Sequence, residues 1–150
     1  MSRLEGRVAV VSGGASGIGR ASAMGLAAEG ARVVVADIDS DLGLQTCSDI
    51  ENMGGEATFQ TLDVTDEEQW RACIAATQAS YGGLNILVNN AGIAVGGSIL
   101  TMSLEDWQRQ QAINLDGVFL GIKHGIPAMI DSGNGSVINI SSVAGIKGSA

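Results

Sequence analysis

The sequence predicts a doubly wound α/β domain: a parallel sheet of strand order 3-2-1-4-5 with helices on both faces. Three observations predict it. Five short apolar runs alternate with amphipathic stretches at a regular beat, as repeated strand–crossover–strand units require, and such crossovers are right-handed. The runs are made of Val, Ile, Leu and Ala, which suits strands covered on both faces. Glycine supplies 22 of 150 residues and aromatics only 3%, so the core is aliphatic, with close backbone approach at the glycines.

Taken in order, Val8-Ala9-Val10-Val11 is the first strand, closed by Ser12-Gly13-Gly14. Ile18, Ala21, Ser22, Gly25 and Leu26 follow helical spacing and give the first helix a small-residue face. Val33-Val34-Val35-Ala36, closed by Asp37, is the second strand. Leu42, Thr46, Ile50 and Met53 mark the second helix, which Gly54-Gly55 ends. Residues 57–62, closed by Asp63, form a weaker third strand. Trp70, Cys73, Ile74, Thr77 and Tyr81 line the third helix, capped by Thr65 or Asp66. Ile86-Leu87-Val88 is the fourth strand, closed by Asn89-Asn90-Ala91-Gly92. One long helix is expected over 103–130, opened by an imperfect capping box at Ser103 and Asp106 and kinked near Pro127. Val137-Ile138-Asn139-Ile140 is the fifth strand, closed by Ser141-Ser142.

The whole chain, 1–150, reads as one domain. The repetition stops after the fifth strand, at Ala150, leaving a sheet edge and half a helix layer uncovered. The domain is therefore expected to be incomplete at its C-terminus.

Eight basic and sixteen acidic residues give a formal charge of −8, which lacks the electrostatic footprint for nucleic acid or anionic lipid. No apolar run approaches the roughly 18 residues a membrane span needs, and residues 1–7 do not open a signal peptide. Cys47 and Cys73 are too few and too far apart for a metal knuckle or a disulfide scaffold. A cytoplasmic protein without a metal site is expected.

The chemistry starts at Ser12-Gly13-Gly14-Ala15-Ser16-Gly17-Ile18-Gly19, between the first strand and the first helix. Amides at a helix N-terminus bind a diphosphate, and glycines let it approach. A Walker A loop fails, because Arg20 and Ala21 stand where Lys and a hydroxyl are needed. A plain Gly-x-Gly-x-x-Gly fails at Ser22, whereas Gly13-x-x-x-Gly17-x-Gly19 fits without exception. Asp37 ends the second strand 20 positions after Gly17, where a carboxylate accepts hydrogen bonds from the adenosine ribose. The lesser alternative for Asp37 is a cap for the helix that follows it.

These residues resemble the short-chain dehydrogenase/reductase family in its most common subgroup. Residues 12–19 look like its Thr-Gly-x-x-x-Gly-x-Gly motif with Ser12 for Thr. Asp63-Val64 look like its adenine contact, and Asn89-Asn90-Ala91-Gly92 match its Asn-Asn-Ala-Gly motif. Asn114, followed by Gly117 and Phe119, and then Ser141-Ser142, resemble its active-site asparagine and serine. The resemblance covers essentially the whole chain. It implies the Rossmann fold, with NAD held by Ser12, Gly13, Ser16, Gly17, Ile18, Gly19, Asp37, Asp63, Val64, Asn90, Ala91 and Gly92. It implies Ser142, second of its pair, as the hydroxyl that hydrogen-bonds the substrate oxygen. It implies Asn114 as the anchor of a water in the proton relay.

Asn114 also breaks a local rule, since Asn114-Leu115-Asp116-Gly117 are poor helix formers in mid-helix. In the family a Tyr-x-x-x-Lys pair lies a short way beyond the serine, a place that here falls past Ala150, so the base is expected not to be replaced but not yet reached. Tyr81 is the sole tyrosine, it falls on an apolar helix face, and Asn85 stands four residues on. His124 lies within the long helix as a surface or interface residue, and no Gly-x-Ser-x-Gly elbow accompanies it.

The implied function is an NAD-dependent oxidoreductase moving a hydride between nicotinamide and a secondary alcohol or ketone, hydroxysteroids and cyclic alcohols being the nearest class. The 150 residues alone are expected to be inactive. The alternative is a dinucleotide-binding protein without catalysis. Family resemblance also implies a homotetramer packed through the long helix.

Overall fold

The structure is a computed structural model and describes residues 2–147. Ala150, where the strand–helix repetition ends, lies outside the described residues. Five parallel strands form one sheet: β1 (Val8–Ser12), β2 (Arg32–Asp37), β3 (Glu56–Thr61), β4 (Ile86–Asn89) and β5 (Ser136–Asn139). Their order is β3-β2-β1-β4-β5, as the alternation predicts. The register pairs Val11 with Val35 and Val88, and Val88 with Ile138, so all five strands end on one side of the sheet.

Alternate residues of the strands feed two cores, as the two-residue period of a strand requires. Ala9, Val11, Val33, Val35 and Val88 pack with Ala23, Ala27, Cys47 and Ile50. These come from α1 (Gly17–Ala28) and α2 (Ser40–Asn52). Val8, Val10, Val34 and Leu87 pack with Trp70, Ile74, Leu120 and Met129. These come from α3 (Glu67–Tyr81) and α5 (Gly117–Asp131). Trp70 is 0% exposed and donates Nε1–H to the Val64 carbonyl at 3.0 Å. A fully buried side chain of one core thus fixes the backbone just past β3, which matters for the site.

Side chains set where the helices begin. Asp39 Oδ1 accepts from the Leu42 amide, Asp66 Oδ1 from Glu68 and Gln69, and Ser103 Oγ from Asp106. Such caps contribute about 1 kcal/mol each. Asp66 is therefore the cap of α3, and Asp39, not Asp37, is the cap of α2. That removes the capping alternative for Asp37.

Three expectations are corrected. The buried face of α1 is Gly19, Ala23 and Ala27, not the stripe through Ile18; Ile18 is 65% exposed and turns to a groove at the strand ends. Of the four residues expected on α2, Thr46 and Ile50 are buried, with Gly43 and Cys47 beside them, whereas Leu42 and Met53 are exposed. Where these helices approach the sheet most closely small residues meet it: Gly19, Ala23 and Ala27 in α1, and Gly43, against the Phe59 ring, in α2. The expected long helix is interrupted. α4 (Leu104–Gln111) passes through a π-turn at Ala112–Asp116 into α5, which runs past Pro127 to Asp131. The fifth strand is also less covered than its composition suggests, with Ile138 and Ile140 exposed.

Among the described residues, no helix is long and apolar enough to cross a membrane.

Candidate functional site

At the carboxyl ends of the strands lies a groove of about 730 Å³, within the range of ligand sites. Its floor is the loop between β1 and α1. Gly13 has φ +64°, and a Cβ there would meet the Ala91 Cα at 2.9 Å. A Cβ on Gly19 would overlap the Gly13 carbonyl oxygen and the Asn90 side-chain amide. These two glycines let the loop fold flat against the turn after β4. Ser16 and Gly17 face the groove and are exposed, as is Ile18.

The N-terminus of α1 differs from those of α2, α3 and α4. Ser16 occupies its cap position but makes no side-chain cap bond. Its first-turn amides therefore point out unclaimed by a cap, with the positive end of the helix dipole behind them.

Ser12 does not line the groove. It is buried, and its Oγ accepts from the Asn90 and Ala91 amides at 3.0 and 3.2 Å. Asn90 Nδ2 donates back to the Ser12 and Gly13 carbonyls at 3.0 and 3.1 Å. The first and fourth strand ends are thus stapled together, which places Asn90, Ala91 and Gly92 along the groove wall.

Asp37 lies on the opposite side of the loop. Its Oδ2 accepts from the Ala15 amide at 3.0 Å and its Oδ1 from the Asp39 amide at 3.1 Å. Each oxygen keeps a lone pair for a further donor. Asp63 and Val64 follow β3 on the same wall. Asp63 Oδ1 accepts from the Thr65 amide and hydroxyl, which fixes the turn, and Val64 packs on the bare backbone of Gly117.

Asn114 sits at the centre of the π-turn. Its Nδ2 donates to the Ile93 carbonyl at 2.8 Å and its Oδ1 accepts from the Ile93 amide at 2.9 Å. One turn earlier, Gln110 Oε1 accepts from the Val95 amide at 2.9 Å. The segment leaving β4 is therefore laced to the helix, and π-turns of this kind often mark functional sites. Ser142 caps a short 3₁₀ turn (Val143–Gly145), accepting from the Ala144 amide at 3.1 Å. Its own proton stays available to donate. Ser141 and Ser142 follow Ile140, which lines the groove. No hydrogen bond links Ser142 to Asn114 among the described residues.

The groove also takes in Ile38, Leu62, Ile93, Arg109, Ile113 and Ile140, none of which the sequence reading singled out as site residues. Ile38, Leu62 and Ile140 were within reach, because they adjoin strand ends where ligands of such sheets bind. Arg109 and Ile113 share a helix face at i, i+4 spacing, but which face turned to the groove was not legible. Elsewhere, Cys47 and Cys73 are buried, and burial pushes their thiols up to about 11 and about 12. His124 Nε2 and Lys123 Nζ both reach Glu67 Oε1, at 3.0 and 2.7 Å, joining α5 to α3 away from the groove.

A parallel sheet with a glycine loop, an uncapped helix and a carboxylate at the end of β2 has the form of a dinucleotide-binding fold. The comparisons with known proteins agree. The model of the short chain dehydrogenase family matches residues 7–150, and the chain belongs to that family. It is 46% identical over 145 residues to 2,5-dichloro-2,5-cyclohexadiene-1,4-diol dehydrogenase LinX of Sphingobium indicum, spanning 97% of this chain and 58% of that protein. It is 44% identical over 146 residues to 3-alpha-(or 20-beta)-hydroxysteroid dehydrogenase of Mycobacterium tuberculosis, spanning 97% of this chain and 55% of that one. The crystal structure of a short-chain type dehydrogenase/reductase from Mycobacterium marinum superposes with a TM-score of 0.94 at 36% identity, covering 97% of this chain and 60% of the other. The chain thus spans a little over half the length of the relatives it matches.

Proposed function

We propose that this chain forms the dinucleotide-binding part of an oxidoreductase that uses NAD and acts on a secondary alcohol or the matching ketone. One observation carries the reading: the uncapped α1 N-terminus, the Gly13–Gly19 loop and Asp37 open on one groove. The residues fit the group. Amides of Ser16, Gly17, Ile18 and Gly19 take the diphosphate, with Ser12 and Gly13 setting the turn that presents them. Asp37 accepts from the ribose hydroxyls, while Asp63 and Val64 border the adenine. Asn90, Ala91 and Gly92 form the wall toward the nicotinamide, which when bound supplies the hydride acceptor or donor.

The chain's own residues then divide the work. Ser142 donates a hydrogen bond from its hydroxyl to the substrate oxygen and keeps its proton. Asn114 acts through Ile93, holding the exit of β4 where the groove needs it; its side chain, used in this way, is a positioning group. A Tyr-x-x-x-Lys pair does not occur in these 150 residues, so the chain by itself is expected to bind the dinucleotide without turning over substrate.

The substrate class follows the relatives, whose names describe a cyclic diol dehydrogenase and a hydroxysteroid dehydrogenase. Self-association, proposed as a tetramer, has the support of exposed apolar side chains on α4, the π-turn and α5: Leu104, Trp107, Leu115, Phe119, Ile126 and Ile130. A cytoplasmic location, without nucleic-acid or membrane partners, is supported by the net charge of −8 and the cysteines without a disulfide.

Calorimetric titration of the chain with NAD tests the reading. Binding of one equivalent, competed by ADP, is expected. No binding at millimolar NAD overturns it.

A further inference from the structure

Ala15 lies in the middle of the glycine loop, and its peptide groups are held from outside the loop. Its amide donates to Asp37 Oδ2 at 3.0 Å, and its carbonyl accepts from Thr46 Oγ1 at 3.3 Å. The neighbouring Gly14 amide donates to the Ala36 carbonyl at 3.2 Å. Thr46 belongs to α2, is 0% exposed, and is the one polar side chain among that helix's buried residues Gly43, Thr46, Cys47 and Ile50.

Its hydroxyl also lies 3.0 Å from the carbonyl of Leu42, one turn back in its own helix. A threonine in mid-helix commonly makes that back-bond. The contact to Ala15 is different, because it crosses to another element. One proton shared between two carbonyls gives each a weaker bond than it would have alone. A valine has nearly the same β-branched shape and no polar atom to bury, so packing alone does not require threonine here. Ala15 is itself buried, and its carbonyl without Thr46 would lose that partner, at the cost that attends any buried acceptor.

We infer that Thr46 is a positioning residue for diphosphate binding. It holds the carbonyl end of Ala15 as Asp37 holds the amide end. The direction of the Ser16 and Gly17 amides, which follow directly in the chain, is thereby set before a ligand arrives. The effect belongs to the phosphates and not to the nucleoside, because the clamp acts on the loop amides and leaves the walls of the groove unchanged. This inference rests on reading the groove as a dinucleotide site.

The test compares ADP and adenosine, titrated into the chain and its variants, with melting temperature recorded alongside. Thr46→Val is expected to weaken ADP about three- to ten-fold, the loss one hydrogen bond carries, and adenosine by less than about two-fold. Thr46→Ser, which keeps the hydroxyl, is expected to restore ADP binding. Should Thr46→Val not fold, Thr46→Ala removes the same hydroxyl and is expected to give the same ADP-selective loss. ADP binding unchanged in these variants, or ADP and adenosine weakened by the same factor, overturns the positioning role. If the unaltered chain binds no ADP, the dinucleotide reading falls first and the inference with it.

Discussion

Replacing Asp37 by alanine separates two contributions that the structure puts on one carboxylate. The first is selectivity. A 2′-phosphate on the ribose would lie close to this half-buried group. Two unit charges about 5 Å apart repel by about 3 kcal/mol at an effective dielectric of about 20, and by under about 1 kcal/mol in bulk water. For a half-buried group the value falls between, about 1–2 kcal/mol, or roughly 5- to 30-fold against NADP. The second contribution is attraction. Hydrogen bonds to a charged group are worth about 1.5–3 kcal/mol, so NAD should bind Asp37→Ala about 10- to 150-fold more weakly. The variant should not become a good NADP binder. The Ala15 amide, which donates to Asp37 Oδ2 at 3.0 Å, loses its partner, and the loop under the phosphates loosens. Asp37→Asn keeps an acceptor oxygen and should fall between. Paired titrations of NAD and NADP into the three proteins give the ratio directly. NADP binding the unaltered chain as tightly as NAD would remove Asp37 from this role.

Other outcomes follow from named contacts. Gly19→Ala sets a methyl group against the Gly13 carbonyl and Asn90, and should lower stability by about 1–3 kcal/mol, read as a lower melting temperature. In a version of the protein that carries a Tyr-x-x-x-Lys pair, Ser142→Ala should cut kcat about 10²- to 10³-fold with little change in NAD affinity; Ser141→Ala should do much less, and the reverse pattern would exchange their roles. Lys123, with His124 and Arg71, holds the Glu67 carboxyl below its usual 4.5, at about 2. A depressed carboxylate stabilises the fold above its unfolded value, and the contribution is lost as pH falls from about 4.5 through about 2. Acid unfolding of Glu67→Gln, followed by circular dichroism, should show less dependence on pH across that window.

Much of this was legible in the sequence because the strands have little choice. Val8–Ser12 and Arg32–Asp37 are too apolar for a surface, and the residues that end them, Ser12-Gly13 and Asp37, sit where the sheet opens. The site residues cluster at those ends, so finding the strands found most of the groove. Helix faces were harder. α1 meets the sheet through Gly19, Ala23 and Ala27, and hydrophobicity alone favoured Ile18, which points to the groove. The π-turn at Ala112–Asp116 follows from Asn114 reaching Ile93, 21 positions away, which no local propensity encodes. The poor helix formers there did mark the place. Ser12 was read as a ligand contact from its motif, while its buried hydroxyl serves the turn after β4. Sequence spacing brings such a residue to the site and leaves open which way it faces.

The proposed function stands on a diphosphate seated at the unclaimed amides that open α1, with Asp37 on the ribose beside it. A crystal structure of the chain grown with NAD measures this most directly. The diphosphate is expected within hydrogen-bond distance, about 2.7–3.2 Å, of amides among Ser16–Gly19, and a ribose hydroxyl within the same distance of Asp37. NAD bound elsewhere, or with its diphosphate turned away from α1, would contradict it.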